Sequence, residues 1–327
     1  MAKERIFSGI QPTGVIHVGN YVGAISNWVK LLDEYDCIFC IVDYHAITIE
    51  YDTGKFQENI INAARTLIAC GLEPDKCTLF VQSRVPEHTE LTWILNTVTP
   101  IGDIERMTQF KDKSTQHKAN INVGLMDYPV LQAADILLYK AEAVPVGEDQ
   151  VQHIEMARRT ARRFNNRFGD TFPEPRVLLT DTARIMGLDG KTKMSKTLDN
   201  FVGILEPPEA IWEKLRTSVT DENRKRRSDP GNPEICNLFT MHRAFSPQDD
   251  IADIDKKCRT AEIGCVECKR NLFENMMRHL EPIQRRVAEL ENDPEKVNEA
   301  LNSGAKRCKE IAESVMDEVR GKMGLRE

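Results

Sequence analysis

The alternation of apolar and polar positions changes character along the chain. In its first part, short apolar runs occur at Arg5–Ser8, Cys37–Val42, Thr78–Val81 and Ala143–Val146. Between them, helical periodicity fills residues 21–35, 55–70, 87–98 and 129–140. Strands that alternate with helices predict right-handed βαβ units and a parallel sheet that binds ligands at the carboxyl ends of its strands. We therefore predict an α/β fold for this part.

Beyond a lysine-containing loop at residues 193–196, the pattern is that of helices alone. Helical periodicity covers residues 207–219, 233–244, 249–258 and 265–290, with Pro, Gly and Asp turns between them. The last segment, residues 293–323, predicts a charged amphipathic helix or a pair of helices. We predict a parallel-sheet domain over residues 1–197 and a helical domain over residues 198–327, whose last helix could pack back on the first domain.

The composition is that of a soluble globular protein. No stretch of the 327 residues approaches membrane-spanning length, and the N-terminus lacks the apolar run of a signal peptide. Nine cysteines in such a chain predict reduced thiols and a cytoplasmic location. The net charge of −7 argues against indiscriminate binding of nucleic acid. Basic clusters at residues 158–163 and 224–227 suit either a solvated face or a specific RNA contact.

A strand, a turn and a helix start near the N-terminus form a candidate phosphate site. Phe7 lies in the apolar run, glycines and Pro12 punctuate the turn, and His17-Val18-Gly19-Asn20 begins the helix. The unpaired N–H groups and the positive dipole end of such a helix favour phosphate. His17 and Asn20 add side-chain donors at the same end.

A second candidate phosphate-binding segment is the loop Lys193-Met194-Ser195-Lys196, which carries two ammonium groups close to Gly187 and Gly190. Two other nucleotide motifs are excluded by spacing. The glycines of the N-terminal segment are too far apart for the dinucleotide fingerprint, and Ile185 stands where a P-loop needs glycine.

One apolar segment carries polar side chains along a single stripe. Asp127 suits the cap of a helix with Pro129 in its first turn. Tyr128, Gln132 and Asp135 then lie at spacings that share one face of this helix. Polar groups on a buried helix need partners. These polar side chains could pair with other groups of the protein or contact a polar aromatic small molecule, and both alternatives stay open. In the second case, residues 144–150 would form a second wall of the ligand pocket.

Four cysteines in the helical part suggest a metal centre. Cys236, Cys258, Cys265 and Cys268 suit a tetrahedral thiolate site, which would hold either structural zinc or an iron–sulfur cluster. The other five cysteines are expected to be core residues or free thiols: Cys37, Cys40, Cys70, Cys77 and Cys308.

These motifs together resemble the tryptophanyl-tRNA synthetases of bacterial type, within the class I aminoacyl-tRNA synthetases. The usual class I signatures, HIGH and KMSKS, correspond to residues 17–20 and 193–197. Further stretches that resemble the family over nearly the whole chain are residues 7–14, 43–48, 105–111, 133–139 and 144–150. The resemblance implies a Rossmann-like catalytic domain that binds ATP and tryptophan, a helical domain that binds the tRNA anticodon, and a homodimer. It also implies charging of tRNA(Trp) with L-tryptophan, with ATP and Mg²⁺ as substrate.

The resemblance also implies roles for individual residues. The tryptophan contacts would be Phe7, Gly9, His45, Gln109, Tyr128, Gln132, Asp135, Val144, Val146 and Gln150, with Asp135 accepting the indole N–H. The ATP contacts would be Gln11, Pro12, Thr13, Gly19, Asn20, Gly147, Glu148, Asp149, Ile185, Thr192, Lys193, Met194, Ser195 and Lys196. The catalytic residues would be His17, Lys111, Lys193 and Lys196. Some members carry a [4Fe–4S] cluster on similarly spaced cysteines, which favours that cluster over zinc here.

The chain departs from the family pattern at three positions. His17 stands where the family often has Thr, Gln132 where bacterial members commonly have Met, and Thr197 where the KMSKS motif ends in Ser. Two alternative functions are a tyrosyl-type synthetase and a non-aminoacylating iron–sulfur protein on a synthetase scaffold. A tyrosyl enzyme needs a phenol partner near the ring, which Phe7 does not supply, and a protein without catalysis has no need of Lys193 and Lys196.

Overall fold

A parallel sheet organises the first part of the chain in this computed structural model, which describes residues 3–108, 122–179, 185–196 and 198–325. Its five strands are β1 (Arg5–Ile10), β2 (Asp36–Ile41), β3 (Thr78–Val81), β4 (Ala143–Val146) and β5 (Arg176–Leu179), in the order β3-β2-β1-β4-β5. In the register, Phe7 lies opposite Ile38 and Ile6 lies opposite Ala143. The predicted α/β fold with a parallel sheet is confirmed. The order reverses between β1 and β4, where sheets of this kind bind ligands.

The burial of each strand explains whether the apolar pattern of the sequence predicts it. β2, β3 and β4 are almost entirely buried, so each reads as a continuous apolar run. β5 lies at the edge of the sheet and is exposed at both ends, at Arg176 and Leu179. The apolar pattern does not predict β5, because a four-residue edge strand with a polar end carries little periodic signal.

Helices connect the strands and form most of the regular structure in the rest of the described chain. They are α1 (Val18–Asn20), α2 (Ser26–Leu31), α3 (Asp43–Ala46), α4 (Phe56–Ala69), α5 (Glu87–Asn96), α6 (Ile101–Glu105), α7 (Val123–Leu137), α8 (Val151–Phe168), α9 (Pro208–Thr217), α10 (Asn237–Phe245), α11 (Gln248–Arg259), α12 (Cys265–Asn292) and α13 (Pro294–Met323). A π-helical segment, Tyr21–Ile25, joins α1 to α2. The last segment is thus a single helix rather than a pair.

The start of α7 differs from the sequence prediction. Asn122 is the cap, and its side chain accepts a hydrogen bond from the backbone N–H of Leu125 at 2.8 Å. Asp127 as the cap is therefore wrong, and Pro129 lies inside the helix rather than in its first turn. Asp127 instead accepts a hydrogen bond from the side-chain amide of Asn96 at 3.0 Å. The local Asp-Tyr-Pro pattern misleads because Asn122 satisfies the helix end one turn earlier.

The described chain divides into two compact units. The first unit contains residues 3–14, 28–108, 122–179 and 293–325, and the second contains residues 15–27, 185–196 and 198–292. The predicted boundary at residues 197 and 198 separates proposed functions, and as such it stays a prediction. The compact units divide the chain differently. Residues 15–27 go with the helical unit, because the backbone of residues 16–18 hydrogen-bonds to residues 202–204. Residues 185–196 do so because the backbone of Leu188 hydrogen-bonds to Asn200 and Val219.

In the first unit, α13 packs against β3, α4 and α5. The approach is close at Gly304, where an added Cβ would lie 2.0 Å from the backbone oxygen of Leu79. Cys308, Ala312 and Met316 on the same helix are fully buried. The helix that ends the chain therefore completes the core beside the parallel sheet.

In the second unit, helices α9 to α12 pack together with the segment 15–27. The buried ammonium of Lys269 on α12 donates hydrogen bonds to the carbonyl oxygens of Arg216 and Ser218 at 2.8 and 2.7 Å. Because these carbonyls lie at the C-terminal end of α9, the cation also complements the helix dipole. Among the described residues, no helix is long and apolar enough to cross a membrane.

Two glycines of α13 allow the packing to be tested with a matched control. We expect Gly304→Ala to lower the free energy of unfolding by about 1–3 kcal/mol, because the new methyl group collides with the backbone of β3. Gly321→Ala lies in open space on the same helix and should raise it by up to about 1 kcal/mol through helix propensity. Urea unfolding followed by circular dichroism measures both. Equal changes in the two variants would contradict the close approach of α13 to β3.

Candidate functional site

A carboxylate buried in the first unit is the centre of the candidate site. Asp135 on α7 has 1% of its surface exposed. Its Oδ2 lies 2.8 Å from Nε2 of His45, and its Oδ1 lies 2.7 Å from Nδ1 of His88 and 2.6 Å from Nε2 of Gln82. Burial by itself raises the pKa of a carboxyl group, but the hydrogen bonds from His45 and His88 outweigh it and lower the pKa of Asp135 to about 2. Asp135 is therefore ionised and accepts all three bonds.

Aromatic rings and the backbone of β1 surround this carboxylate. The ring of Phe7 stacks on the ring of Tyr139, with 5.5 Å between the centroids and 10° between the planes. At Gly9 an added Cβ would lie 2.7 Å from Cγ1 of Val42, so this position has no room for a side chain. The remaining strand residues predicted for the pocket, Val144 and Val146, lie on β4 in the same buried core as Phe7.

Tyr128, Gln132 and Asp135, which the sequence predicts on one face of a helix, all lie on α7. Tyr128 stands edge-on to His45 with 6.4 Å between ring centroids, and its hydroxyl lies 3.2 Å from Nε2 of His153. Farther along, the amide of Gln132 lies 3.5 Å from the amide oxygen of Gln150. Tyr128, Gln132 and Asp135 thus all have polar partners inside the first unit. Pairing within the protein and contact with a ligand are not exclusive, because amide and hydroxyl groups have spare hydrogen-bonding capacity.

In the second unit, His17 caps the helix that follows the N-terminal turn. Its Nδ1 accepts a hydrogen bond from the backbone N–H of Asn20, while the Asn20 side chain accepts one from the backbone N–H of His17. Burial, followed by the charges of Lys196 and Lys193, lowers the pKa of His17 to about 4. The ring is neutral near pH 7, and because Nδ1 accepts, its proton is on Nε2.

The loop at residues 193–196 lies beside His17 in the same unit. An added Cβ at Gly19 would lie 3.0 Å from the His17 ring and 3.6 Å from Cβ of Met194. Burial lowers the pKa of Lys196 to about 8, so its ammonium group is easier to deprotonate than an exposed lysine. The two segments singled out by the sequence therefore meet in space.

Asn200 holds this loop in place. Its Oδ1 accepts a hydrogen bond from the backbone N–H of Ser195 at 2.7 Å, and its Nδ2 donates to Asp189 at 3.0 Å and to Thr192 at 2.8 Å. The backbone N–H of Lys191 and the side chains of Asn200 and Thr192 keep the pKa of Asp189 well below its usual range. The buried side-chain amide of Asn200 therefore connects Thr192 and Ser195 of the loop to Asp189.

Two further segments leave the sheet at its switch point in the first unit. Residues 11–13 follow β1 and turn through a hydrogen bond from the N–H of Thr13 to the carbonyl of Gln11, before Gly14 with a φ of 93°. Residues 147–149 follow β4, and a Cβ at Gly147 would lie 2.9 Å from Oδ1 of Asp149. Both segments therefore lie at carboxyl ends of strands, as the α/β pattern predicts.

Comparisons with known proteins agree over nearly the whole chain. A model of the family described as "tRNA synthetases class I (W and Y)" matches residues 2–281. The tryptophan–tRNA ligase of Deinococcus radiodurans is 51% identical, over 98% of this chain and 99% of the relative. That of Thermotoga maritima is 42% identical, over 98% and 99%. The crystal structure of tryptophanyl-tRNA synthetase from Campylobacter jejuni, complexed with ADP and tryptophan, superposes with a TM-score of 0.87 at 34% identity, over 98% and 99%.

This chain belongs to the class I tRNA synthetases of the W and Y family.

For this synthetase, three residues that the sequence singles out lie outside the described residues. They are Gln109 in the predicted tryptophan pocket, Lys111 among the predicted catalytic residues, and Thr197 at the end of the KMSKS-like motif. The remaining predicted ATP contacts of the second unit are described. Ile185 is buried, and Thr192 bonds to Asp189 through its hydroxyl at 2.7 Å.

The four cysteines predicted to bind metal come from three helices of the second unit. Cys236 precedes α10, Cys258 lies near the end of α11, and Cys265 and Cys268 lie in the first turn of α12. Burial and the nearness of the other three sulfurs raise the pKa of Cys268 to about 12. Among the described residues, however, no group of Cys, His, Asp or Glu side chains has the arrangement of a metal centre. The structure alone does not show the predicted centre.

The two basic clusters are partly committed to contacts inside the protein. In the first unit, Arg162 binds Glu174 with two hydrogen bonds and Arg163 pairs with Asp103. In the second unit, Arg227 donates to the carbonyl oxygen of Glu262. Structural roles therefore explain much of the charge at residues 158–163 and 224–227.

Sequence analysis missed four residues of the site, namely Gln82, His88, Tyr139 and Asn200. His88 and Gln82 are fully buried polar side chains, and a single sequence gives no sign of which acceptor they face. Tyr139 ends the family-like stretch at residues 133–139, which was the available signal. Asn200 follows the KMSKS-like motif closely, but its role depends on a tertiary turn.

Proposed function

We propose that this chain charges tRNA with tryptophan in two steps. It is a tryptophan–tRNA ligase, an enzyme of the class I aminoacyl-tRNA synthetases. First the carboxylate of L-tryptophan attacks the α-phosphorus of ATP, the bond to the β-phosphate oxygen breaks, and pyrophosphate leaves. Then a hydroxyl at the 3′ end of tRNA(Trp) attacks the acyl carbon and AMP leaves. The observation that carries the choice of amino acid is the buried, ionised Asp135, which can accept a hydrogen bond from an indole N–H.

The tryptophan pocket is proposed from residues of the first unit. Asp135 accepts the indole N–H, and Phe7 lies against the ring. His45 bonds to the carboxylate, and Tyr128 stands edge-on to His45. The other proposed contacts are Gly9, Gln132, Val144, Val146, Gln150 and, outside the described residues, Gln109. Gly9 keeps the backbone of β1 close to Val42, because a side chain at this position would collide with Val42.

The nucleophile in the first step is already ionised, so the enzyme must supply position and positive charge rather than a base. Lys193 and Lys196 are proposed to stabilise charge that builds on the phosphate oxygens, together with Lys111 outside the described residues. The N–H at Nε2 of neutral His17 is proposed to donate to the same oxygens. ATP enters with Mg²⁺ as substrate. Its other proposed contacts are Gln11, Pro12, Thr13, Gly19, Asn20, Gly147, Glu148, Asp149, Ile185, Thr192, Met194 and Ser195.

Residues 198–327 are proposed to bind the tRNA anticodon, and residues 1–197 to bind ATP and tryptophan. Within the helical part, we propose that Cys236, Cys258, Cys265 and Cys268 hold a [4Fe–4S] cluster, with structural zinc as the alternative. The donor chemistry supports this: Nη1 of Arg224 lies 4.0 Å from the sulfur of Cys258 and 3.8 Å from that of Cys265. Backbone N–H groups of residues 238 and 239 also donate to the sulfur of Cys236. Such donors stabilise thiolate ligands.

The competing idea of a non-aminoacylating iron–sulfur protein has little support. Asn200 and Asp189 hold the lysine loop in a defined conformation beside His17. A protein that had lost catalysis would gain nothing from keeping two cations and a neutral donor together. We therefore propose catalysis as the function and give the cysteine centre a structural role near the tRNA.

A homodimer, as the resemblance implies, is also proposed. On α5, Trp93 is 75% exposed, and near the start of α7, Val123 is 81% exposed. Trp93 and Ile47 border a cavity of about 400 Å³ in the first unit. Exposed apolar side chains around a cavity suit a self-complementary interface. Light scattering should give twice the mass of one chain. If Trp93→Lys shifts the protein to a monomer, the interface includes this surface, and a monomeric wild type would reject the proposed dimer.

The proposed cytoplasmic location is a separate point, which fractionation of cells would test.

Asp135 provides the test of specificity. We expect ATP–pyrophosphate exchange that depends on tryptophan among the twenty amino acids, with phenylalanine rejected by roughly four orders of magnitude. Asp135→Asn should raise the KM for tryptophan strongly, because the new amide group faces the N–H donors of His45 and His88. Asp127→Asn on the same helix is the matched control and should change the KM little. Exchange that accepts tryptophan and phenylalanine equally would reject the assignment.

Lys196 provides the test of catalysis. Because its charged form is present below a pKa of about 8, kcat/KM for ATP should fall as pH rises through 8. Lys196→Arg should remove this decline, since guanidinium stays charged. Lys196→Ala should slow adenylate formation by about two to three orders of magnitude, while the exposed Lys191→Ala in the same loop should not. Single-turnover rates that stay within a few-fold of wild type for Lys196→Ala would show that the loop acts only as a lid.

The cysteine centre has its own test. Protein purified without oxygen should be brown, with about four irons per chain. Replacing Cys265 and Cys268 by Ser should remove the colour and weaken tRNA charging, whereas exchange should largely survive. Cys70→Ser is the control outside the set. Colourless protein with one zinc per chain would reject the cluster and keep a structural metal site, and protein without metal would reject both.

A further inference from the structure

The acceptor capacity of Asp135 is nearly used up by the protein itself. An ionised carboxylate offers about four lone-pair positions. Among the described residues, His88 and Gln82 take two on Oδ1, at 2.7 and 2.6 Å, and His45 takes one on Oδ2, at 2.8 Å. One position on Oδ2 remains. The site is therefore shaped to accept a single additional donor.

This arrangement depends on which nitrogen of His88 carries the proton. Nδ1 faces an ionised carboxylate, so it must donate. The other nitrogen, Nε2, lies 2.7 Å from the hydroxyl of Tyr139. His88 is fully buried, and its ring is also flanked by Phe80 at 5.8 Å between centroids. With its proton on Nδ1 facing Asp135, the ring can accept a hydrogen bond from Tyr139 through Nε2.

Tyr139 is suited to keep the His88 ring with its proton on Nδ1. Burial, followed by the nearby Cys308, Cys40 and Asp135, raises the pKa of Tyr139 well above its usual value, so its hydroxyl keeps its single proton. The hydroxyl also has a hydrogen bond with Cys308, whose thiol can donate to the tyrosine oxygen while the tyrosine proton goes to His88. Its ring stacks on Phe7, which is the ring proposed to lie against the indole. One side chain thus contacts both an aromatic wall of the pocket and the histidine behind the carboxylate.

We propose that Tyr139 and His88 are positioning residues for tryptophan specificity. Tyr139 fixes His88 with its proton on Nδ1, and His88 together with Gln82 saturates Oδ1, which leaves the free position of Oδ2 for one N–H donor. This inference rests on the proposed function. It adds that the selection of an indole N–H depends on groups that do not touch the substrate's nitrogen.

The experiment compares tryptophan with β-(3-benzothienyl)alanine, in which sulfur replaces the indole N–H. The readout is the ratio of their kcat/KM values in ATP–pyrophosphate exchange. Tyr139→Phe should lower the ratio about tenfold, as expected for loss of one orienting hydrogen bond, and His88→Leu should lower it further. His88→Asn places an amide N–H near the position of Nδ1 and should restore part of the ratio. Gly321→Ala lies in open space on α13, without a contact to this network, and should keep the wild-type ratio.

The outcomes separate three cases. Wild type without tryptophan-dependent exchange would reject the proposed function itself. The second case is normal exchange in the wild type with an equal fall in kcat/KM for both substrates in Tyr139→Phe and His88→Leu. This result would overturn the inference and leave Tyr139 and His88 with only a structural role. A measurement on the unaltered enzyme covers variants that fail to fold. ¹⁵N spectra of the histidines should show His88 neutral with its proton on Nδ1, and a proton on Nε2 would overturn the proposal.

Discussion

The ionised carboxylate of Asp135 is the interaction on which the first unit depends. A buried charge is tolerated only when it is well paired, and here the donors come from α3, from the turn after β3 and from α5. His45 follows β2 and Gln82 follows β3, so the carboxylate joins the carboxyl ends of neighbouring strands to α7. Loss of one donor would leave part of the buried charge without a partner, so the carboxylate depends on the geometry of the strands that supply its donors.

In the second unit, several side chains that can carry positive charge lie close together. They are two lysines and a histidine. Burial together with the positive charges keeps His17 neutral, while burial lowers the pKa of Lys196. Asn200 and Asp189 hold the loop beside His17, so hydrogen bonds within the unit fix the position of these charged side chains.

The cysteine group shows how structural and chemical roles combine. Arg224 donates both to sulfur atoms and to the carbonyl oxygen of Ile263, at 2.8 Å for the latter, so it organises the loop before α12 at the same time as it faces the thiols. Lys269, one residue beyond Cys268, ties α12 to the end of α9. The same short stretch of chain therefore fixes the helical packing and carries two of the four thiol groups.

The sequence by itself determined the α/β fold, four of the five strands, and the segments that carry the chemistry. These features depend on local periodicity and on residue types at short spacing, which a single chain displays directly. Tertiary structure decided the rest. It capped α7 with Asn122 instead of Asp127 and placed residues 15–27 with the helical unit. It also brought Gln82 and His88 to Asp135, and Tyr139 to His88. Partners in such a network come from segments far apart in the chain, and a buried histidine has the same local pattern whatever group it faces. Only the packing of the strands and helices shows which donor meets which acceptor.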